Sequence, residues 1–288
     1  MNPVPSLPIR DERVRRIAVA AAKGGGGLLG VGTAIAGAAI GVIIVQAALA
    51  RRAIGPRTMS APYADGRYLP PGDVARGTSL RLAVLGDSGA AGLGATDPQD
   101  TPGAVLAREL AAAAGRPVLL TNAADVGARS LDLDAQVDRV LAVRPTVAMI
   151  MVGANDVTHR VRPQESVRLL VDAVRRLREA GTEVVVGTCP DLGTVKPLAV
   201  PLRQYARRMS RELAAAQKIG VLAADGRPVM LGELLADIID SDPDRYFSTD
   251  RFHPSTDGYA LCAHALLPEV LAAIGIVRPG GMPALPPA

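Results

Sequence analysis

Residues 80–92 read Leu-Arg-Leu-Ala-Val-Leu-Gly-Asp-Ser-Gly-Ala-Ala-Gly, and residues 147–156 read Val-Ala-Met-Ile-Met-Val-Gly-Ala-Asn-Asp. Each is a short apolar run that stops at a glycine and gives way to small polar residues. The second has no polar face at all, which fits a strand buried on both sides. Working outward, helical and strand-like segments alternate. Residues 101–114 are rich in Ala and Leu, with Pro102 suited to a first helical turn. A second strand at 118–120 and a second helix at 131–143 follow, and Pro145 opens a third strand over 146–152. An amphipathic helix at 165–180 precedes a fourth strand at 183–187. A helix over 202–219, a fifth strand at 221–224 and a closing helix over 255–274 complete the pattern. Alternation of this kind predicts an α/β fold built from right-handed βαβ units. The sheet is parallel, covered on both faces, and binds ligands beyond the carboxyl ends of its strands.

Composition narrows the functions available. Lys and Arg number 32 against 28 Asp and Glu, and the net charge of +4 is spread along the chain. Aromatic residues make up 2% and Trp is absent, so the core is built from Ala, Val, Leu and Ile. Without a basic stripe or stacking aromatics, the sequence argues against a nucleic-acid partner. Two cysteines, Cys189 and Cys262, exclude a disulfide scaffold and a CxxC zinc or redox site, and three histidines argue against a His-rich metal cage.

Residues 24–50 carry no charge. As a helix rising about 1.5 Å per residue, they exceed a hydrocarbon core of about 30 Å. They are expected to form a transmembrane anchor, preceded by a basic leader at 1–23. A Pro/Gly-rich linker at 51–79, a catalytic domain at 80–277 and a flexible tail at 278–288 follow. A cleaved signal is the rival reading, because Ala48-Leu49-Ala50 resembles a cleavage site, although the apolar run exceeds the usual length of such signals. Arg10, Arg13, Arg15, Arg16 and Lys23 precede the run, and Arg51, Arg52, Arg57 and Arg67 follow it. The slight excess before it favours a cytoplasmic N-terminus and an extracytoplasmic domain. Gly37 and Gly41 form a GxxxG step of the kind that packs helices together.

Four segments fall where strands or loops meet the carboxyl rim: Gly86-Asp87-Ser88, Asn122 to Gly127, Gly153-Ala154-Asn155-Asp156, and Asp250-Arg251-Phe252-His253-Pro254. A serine hydroxyl needs a base to become a nucleophile, and histidine is the natural one near neutrality. Ser88, on a glycine-flanked turn, is the candidate nucleophile and His253 the candidate base. Asp250, three residues before His253, is placed to orient the imidazole. The N–H groups of Ser88 and Gly127 and the side-chain amide of Asn155 are candidate donors to the oxyanion. Other groups fit the chemistry less well. His159 reads as an exposed loop residue, His264 as structural, and Asp87 as a turn-holding carboxylate. Gly24–Gly27 lacks the Lys-Ser/Thr of a phosphate loop, and Arg175, Arg176 and Arg178 read as a solvated helix face. In an exported domain Cys189 and Cys262 are candidates for a disulfide.

These motifs resemble the blocks of the GDSL/SGNH hydrolases. Gly86-Asp87-Ser88 is similar to the first block, Gly127 to the glycine of the second, Gly153–Asp156 to the third, and Asp250–Ser255 to the fifth. The first block continues Gly-Ala-Ala where the family name has Leu, and Asp125-Val126 precede Gly127 where small or polar residues are more usual. Over about residues 80–275 the resemblance implies a three-layer α/β/α, flavodoxin-like fold with a five-stranded parallel sheet. It implies ester hydrolysis through Ser88, Asp250 and His253, with no metal or cofactor. The expected partners are a small-molecule, lipid or glycan ester and the membrane through residues 24–50. An acyltransferase or a glycan O-acetylesterase with the same triad, and a non-catalytic anchored binding module, are the alternatives that the sequence leaves open.

Overall fold

The structure, a computed structural model, describes residues 41–50, 52, 60–73 and 77–276. The chain forms two units, one ending at Arg52 and one beginning at Ala53. In the first, residues 41–50 are helical and expose Val42, Ile44, Val45 and Leu49. The leader at 1–23, residues 24–40 of the expected anchor and the tail at 278–288 lie outside the described residues. Among the described residues, no helix is long and apolar enough to cross a membrane.

The second unit is built on a six-stranded mixed sheet. Its strands are β1 (Gly66–Tyr68), β2 (Leu80–Gly86), β3 (Val118–Asn122), β4 (Val147–Met151), β5 (Glu183–Gly187) and β6 (Arg227–Val229), in the order β1-β3-β2-β4-β5-β6. The helices are α1 (Ser88–Ala91), α2 (Pro102–Ala114), α3 (Leu133–Leu141), α4 (Ala154–Thr158), α5 (Pro163–Glu179), α6 (Leu202–Ala223), α7 (Leu231–Ser241), α8 (Pro243–Tyr246) and α9 (Thr256–Ala273). The side chains of β2 alternate between two cores, as the period of two requires. Leu82 and Val84 join Met149, Val185 and the buried faces of α2, α7 and α9. Ala83 and Leu85 join Ala148, Ile150, Val184 and Val186 with Leu133, Val137, Leu170, Val174 and Val221 from α3, α5 and α6. All five residues of β4 are buried, which accounts for its unbroken apolar run.

Two expectations are corrected. The sheet has six strands and is mixed, because β1 forms its edge and pairs antiparallel with β3, Gly66 opposite Leu120 and Tyr68 opposite Val118. β1 lies in the stretch that the sequence reads as linker. Three residues show no hydrophobic period, and the strand is fixed from outside itself: Asp65 Oδ1 accepts the Asn122 N–H at 2.8 Å, and the Tyr68 hydroxyl donates to Ala64 O at 2.7 Å. The expected strand at 221–224 is instead the end of α6, whose buried residues Leu213, Ala214, Gln217 and Val221 keep helical spacing. Arg227–Val229 is the fifth parallel strand. It lies behind a tight reversal in which Gly226 N–H donates to Val221 O at 2.9 Å. Helices α7 and α8 complete the region after β6.

Candidate active site

The first functional turn is set by close backbone packing. Gly86 ends β2 at φ +132°, and a Cβ there would lie 1.8 Å from the carbonyl oxygen of Met151 on β4. Only glycine fits such a contact. The chain then donates Asp87 N–H to the same oxygen at 3.0 Å and enters the single turn of α1. Asp87 caps that turn, its Oδ1 accepting the Gly89 N–H at 2.9 Å. Ser88 thus becomes the first residue of α1, above the end of β2, with 7% of its surface exposed.

The histidine reaches this turn from far along the chain because the two segments are laced together. The Tyr259 hydroxyl on α9 donates to Leu93 O at 2.7 Å, and a Cβ at Gly94 would lie 2.6 Å from Pro254 O. His253 Nε2 then stands 3.0 Å from Ser88 Oγ, and its Nδ1 stands 2.5 Å from Asp250 Oδ2. Asp250 Oδ1 also accepts from the Ser248 hydroxyl at 2.8 Å and from the N–H groups of Phe252 and His253 at 2.9 Å each. Burial alone raises the Asp250 carboxyl. The hydrogen bonds from the His253 ring, the two N–H groups and the Ser248 hydroxyl outweigh it and hold the group well below the usual carboxylate range. Between Asp250 and Phe252, Arg251 adopts φ +56°, a left-handed conformation uncommon for a side-chain-bearing residue. The Phe252 ring stands edge-on to the imidazole at 5.0 Å.

Asn155 lies in the first turn of α4, just past β4, and is nearly buried. Its Nδ2 donates to Ala128 O at 2.9 Å, which leaves the second amide hydrogen free of that bond. Asn155 is thereby tied to the residue that follows Gly127 in the loop after β3. Asp156 reinforces the join: its carboxylate accepts from Ser130 Oγ at 2.8 Å and Ser130 N at 3.2 Å, while Ser130 Oγ lies 2.9 Å from Ser166 Oγ on α5. Of the five residues singled out in the sequence, Ser88, His253 and Asp250 therefore form one hydrogen-bonded chain. Asn155 is bonded to Ala128, the residue after Gly127.

Asp87 is more than a cap. Burial pushes its carboxyl up to about 6, while the Gly89 N–H, His253 and the Gly153 N–H pull the other way and Asp156 adds to the rise. His159 is exposed and turned back on its own helix, with Nδ1 2.8 Å from Asn155 O. Cys189 and Cys262 are free thiols in different core clusters, so the disulfide is absent. Arg176 pairs with Asp134 and Asp138, and Arg178 with Glu183, on the surface.

Sequence reasoning missed two buried glutamines that touch the functional turns. Gln136 on α3 accepts the Gly86 N–H at 2.7 Å and donates to Gly86 O at 2.9 Å. Gln217 on α6 accepts the Cys189 N–H at 2.7 Å and donates to Val152 O at 3.0 Å. A signal existed: each interrupts the apolar stripe of its helix, among Leu133, Val137 and Val140 or among Leu213, Ala214 and Val221.

Comparison with known proteins agrees with this geometry. The model of the GDSL-like lipase/acylhydrolase family matches residues 84–261. The chain is 41% identical over 260 residues to a GDSL-like esterase of Mycobacterium tuberculosis, covering 88% of this chain and 82% of that one. Among solved structures, a lipase/acylhydrolase from Enterococcus faecalis superimposes with a TM-score of 0.55 at 20% identity, over 69% of this chain and all of its own. An acetyl xylan esterase from Geobacillus stearothermophilus does so with a TM-score of 0.55 at 21% identity, over 70% of this chain and 99% of its own. Both share the fold.

Proposed function

The chain belongs to the GDSL-like lipase/acylhydrolase family, and from that membership we propose that it is a serine esterase whose acyl-enzyme forms on Ser88. The observation that carries the reading is the continuous chain Ser88 Oγ, His253 Nε2, His253 Nδ1, Asp250 Oδ2, with separations of 3.0 and 2.5 Å at its two links. Ser88 Oγ attacks the ester carbonyl carbon as His253 Nε2 takes the hydroxyl proton. The carbonyl oxygen becomes an oxyanion and is met by the N–H groups of Ser88 and Gly127 and by the second hydrogen of Asn155 Nδ2. Collapse of the intermediate breaks the bond to the alcohol oxygen, which leaves with the proton from His253. Water then attacks the acyl carbon as His253 takes one of its protons, and collapse breaks the bond to Ser88 Oγ, which receives that proton from His253 as the carboxylic acid departs. Asp250 stays ionised throughout, holds the Nδ1–H tautomer and stabilises the imidazolium.

The substrate is a carboxylic ester of a small molecule, lipid or glycan. Residues 24–50 hold the enzyme to a membrane with its catalytic unit outside the cytoplasm. Support for the anchor is their freedom from charge and the basic residues on both flanks. Ser88→Ala should abolish p-nitrophenyl acetate hydrolysis and fluorophosphonate labelling while leaving the melting temperature nearly unchanged. The hydroxyl is small and its loss opens no core cavity. Turnover above about a tenth of wild type would refute the nucleophile, because removal of a triad member costs orders of magnitude. Full-length protein should fractionate with membranes, with its N-terminus intact. Recovery of uncleaved chain in the soluble fraction would refute the anchor, and material beginning at Arg51 would replace it with a cleaved signal.

A further inference from the structure

A strand that ends inside a protein leaves its last N–H and C=O groups facing a gap where its neighbour has already turned away. At the end of β2 the gap lies on the β3 side. Val84 O still receives Ala123 N–H at 2.8 Å, but β3 stops at Asn122, and beyond it only Asp125 N–H reaches Gly86 O, at 3.2 Å. Gln136 fills the vacancy. Its amide supplies an acceptor for Gly86 N–H and a second donor for Gly86 O, the two groups that a continuing strand would supply. Between the ends of β4 and β5 the same device recurs, with Gln217 joining Val152 O to Cys189 N–H. Both glutamines are fully buried at 0% exposure, which leaves no room for water to take over their bonds.

We propose that Gln136 and Gln217 are positioning residues, side-chain amides that complete the sheet where β2, β4 and β5 end and so hold the Ser88 and Asn155 turns in register with His253. The inference rests on the assignment of Ser88 as nucleophile. Gln136 grips the residue two before Ser88, and that residue has no side chain of its own to lock it. Gln217 grips the residue three before Asn155, and a Cβ on the intervening Gly153, at φ +140°, would stand 3.2 Å from Gln217 Nε2 and 2.9 Å from Cys189 Cβ. His253 is supplied by a separate loop. A slip of either strand end therefore moves one reacting group and leaves its partner behind, and a displacement of about 1 Å costs on the order of 10²-fold in rate.

The test measures kcat and KM of the full chain on p-nitrophenyl acetate, with reactive sites counted by fluorophosphonate labelling. In Gln136→Leu and Gln217→Leu, kcat per labelled site should fall about 10–100-fold with KM within about threefold. Gln136→Met and Gln217→Met keep the unbranched shape without the amide and carry the test if the leucine variants do not fold. Val140→Ala, on the Gln136 helix and equally buried, removes packing without touching a strand end, so its kcat per labelled site should stay at wild type. Retention of kcat within threefold in the glutamine variants, or an equal loss in Val140→Ala, overturns the positioning role and leaves the nucleophile in place. Absence of both wild-type turnover and Ser88 labelling overturns the nucleophile and this inference with it.

Discussion

Asp87→Asn separates the electrostatics of the nucleophile turn from its shape. Asp87 is 6% exposed, and burial lifts its carboxyl from 3.8 to about 6. A carboxyl raised in the folded state binds its proton more tightly there than in the unfolded chain. Its contribution to stability is therefore greatest below about pH 3.8, declines as pH rises from 3.8 to 6, and is constant above. The interval corresponds to about 3 kcal/mol. Asp250 behaves in the opposite sense: held low in the folded state, it contributes fully above pH 3.8 and is lost only on stronger acidification. Asp65 and Asp156 are also raised by burial, so the wild-type curve alone mixes several groups. The difference between wild type and Asp87→Asn isolates one, since Asn caps a helix as well as Asp does and does not titrate. Thermal melts of both proteins between pH 4 and 7.5, which span most of this interval, should show the variant gaining on wild type by about 2 kcal/mol, or roughly 4–8 °C, as pH rises. A gap independent of pH, or one that closes with rising pH, refutes the reasoning.

Asn155→Ala should lower kcat by about 10²–10³ with KM nearly unchanged, as loss of an oxyanion donor requires. An effect confined to KM in the same ester assay would make Asn155 a ground-state binding residue. Gly86→Ala should be harsher than its size suggests. The new Cβ meets Met151 O at 1.8 Å in a conformation that itself costs about 1–3 kcal/mol, so the strand ends must part or the protein must fail to fold. A melting temperature within about 2 °C of wild type, with normal turnover, would show that the contact relaxes cheaply.

What the sequence revealed and what it concealed divide along physical lines. β2, β4 and β5 were legible because they are almost wholly buried and carry near-continuous apolar runs, β4 without a break from Val147 to Met151, and β3 because it opens on apolar Val118 to Leu120. Ser88, Asn155, Asp250 and His253 were legible because small residues and breakers surround them. The structure places His253 within hydrogen-bond reach of both Ser88 and Asp250. β1 and β6 were not, because a three-residue strand is fixed by its partner and contributes no period of its own. The glutamines were hidden for another reason. The break each makes in an apolar stripe marks a buried polar residue, but their bonds go to backbone groups 50, 28 and 65 residues away, so the local pattern does not name the partners.

The strand order explains why chemistry gathers where it does. From β2 the chain crosses through α2 to β3 on one side of the sheet, whereas from β4 it crosses through α5 to β5 on the other. The connections diverge, so β2 and β4 are neighbours whose following loops lean apart, and a crevice opens above their carboxyl ends. Ser88 starts the helix after β2, and Asn155 sits in the first turn of the helix after β4. In both cases the glycine at the turn admits a close neighbour that a Cβ would exclude, the Met151 backbone against Gly86 and the Cys189 side chain against Gly153. The base has to enter from outside this pair, because neither strand has length left to supply it. It arrives on the loop before α9, the helix that packs on the same face as α2 and reaches the segment after α1 through Tyr259. His253 thus comes late in the chain for a topological reason: its loop leads into α9, which packs on the sheet face beside α2 and follows the last strand, β6.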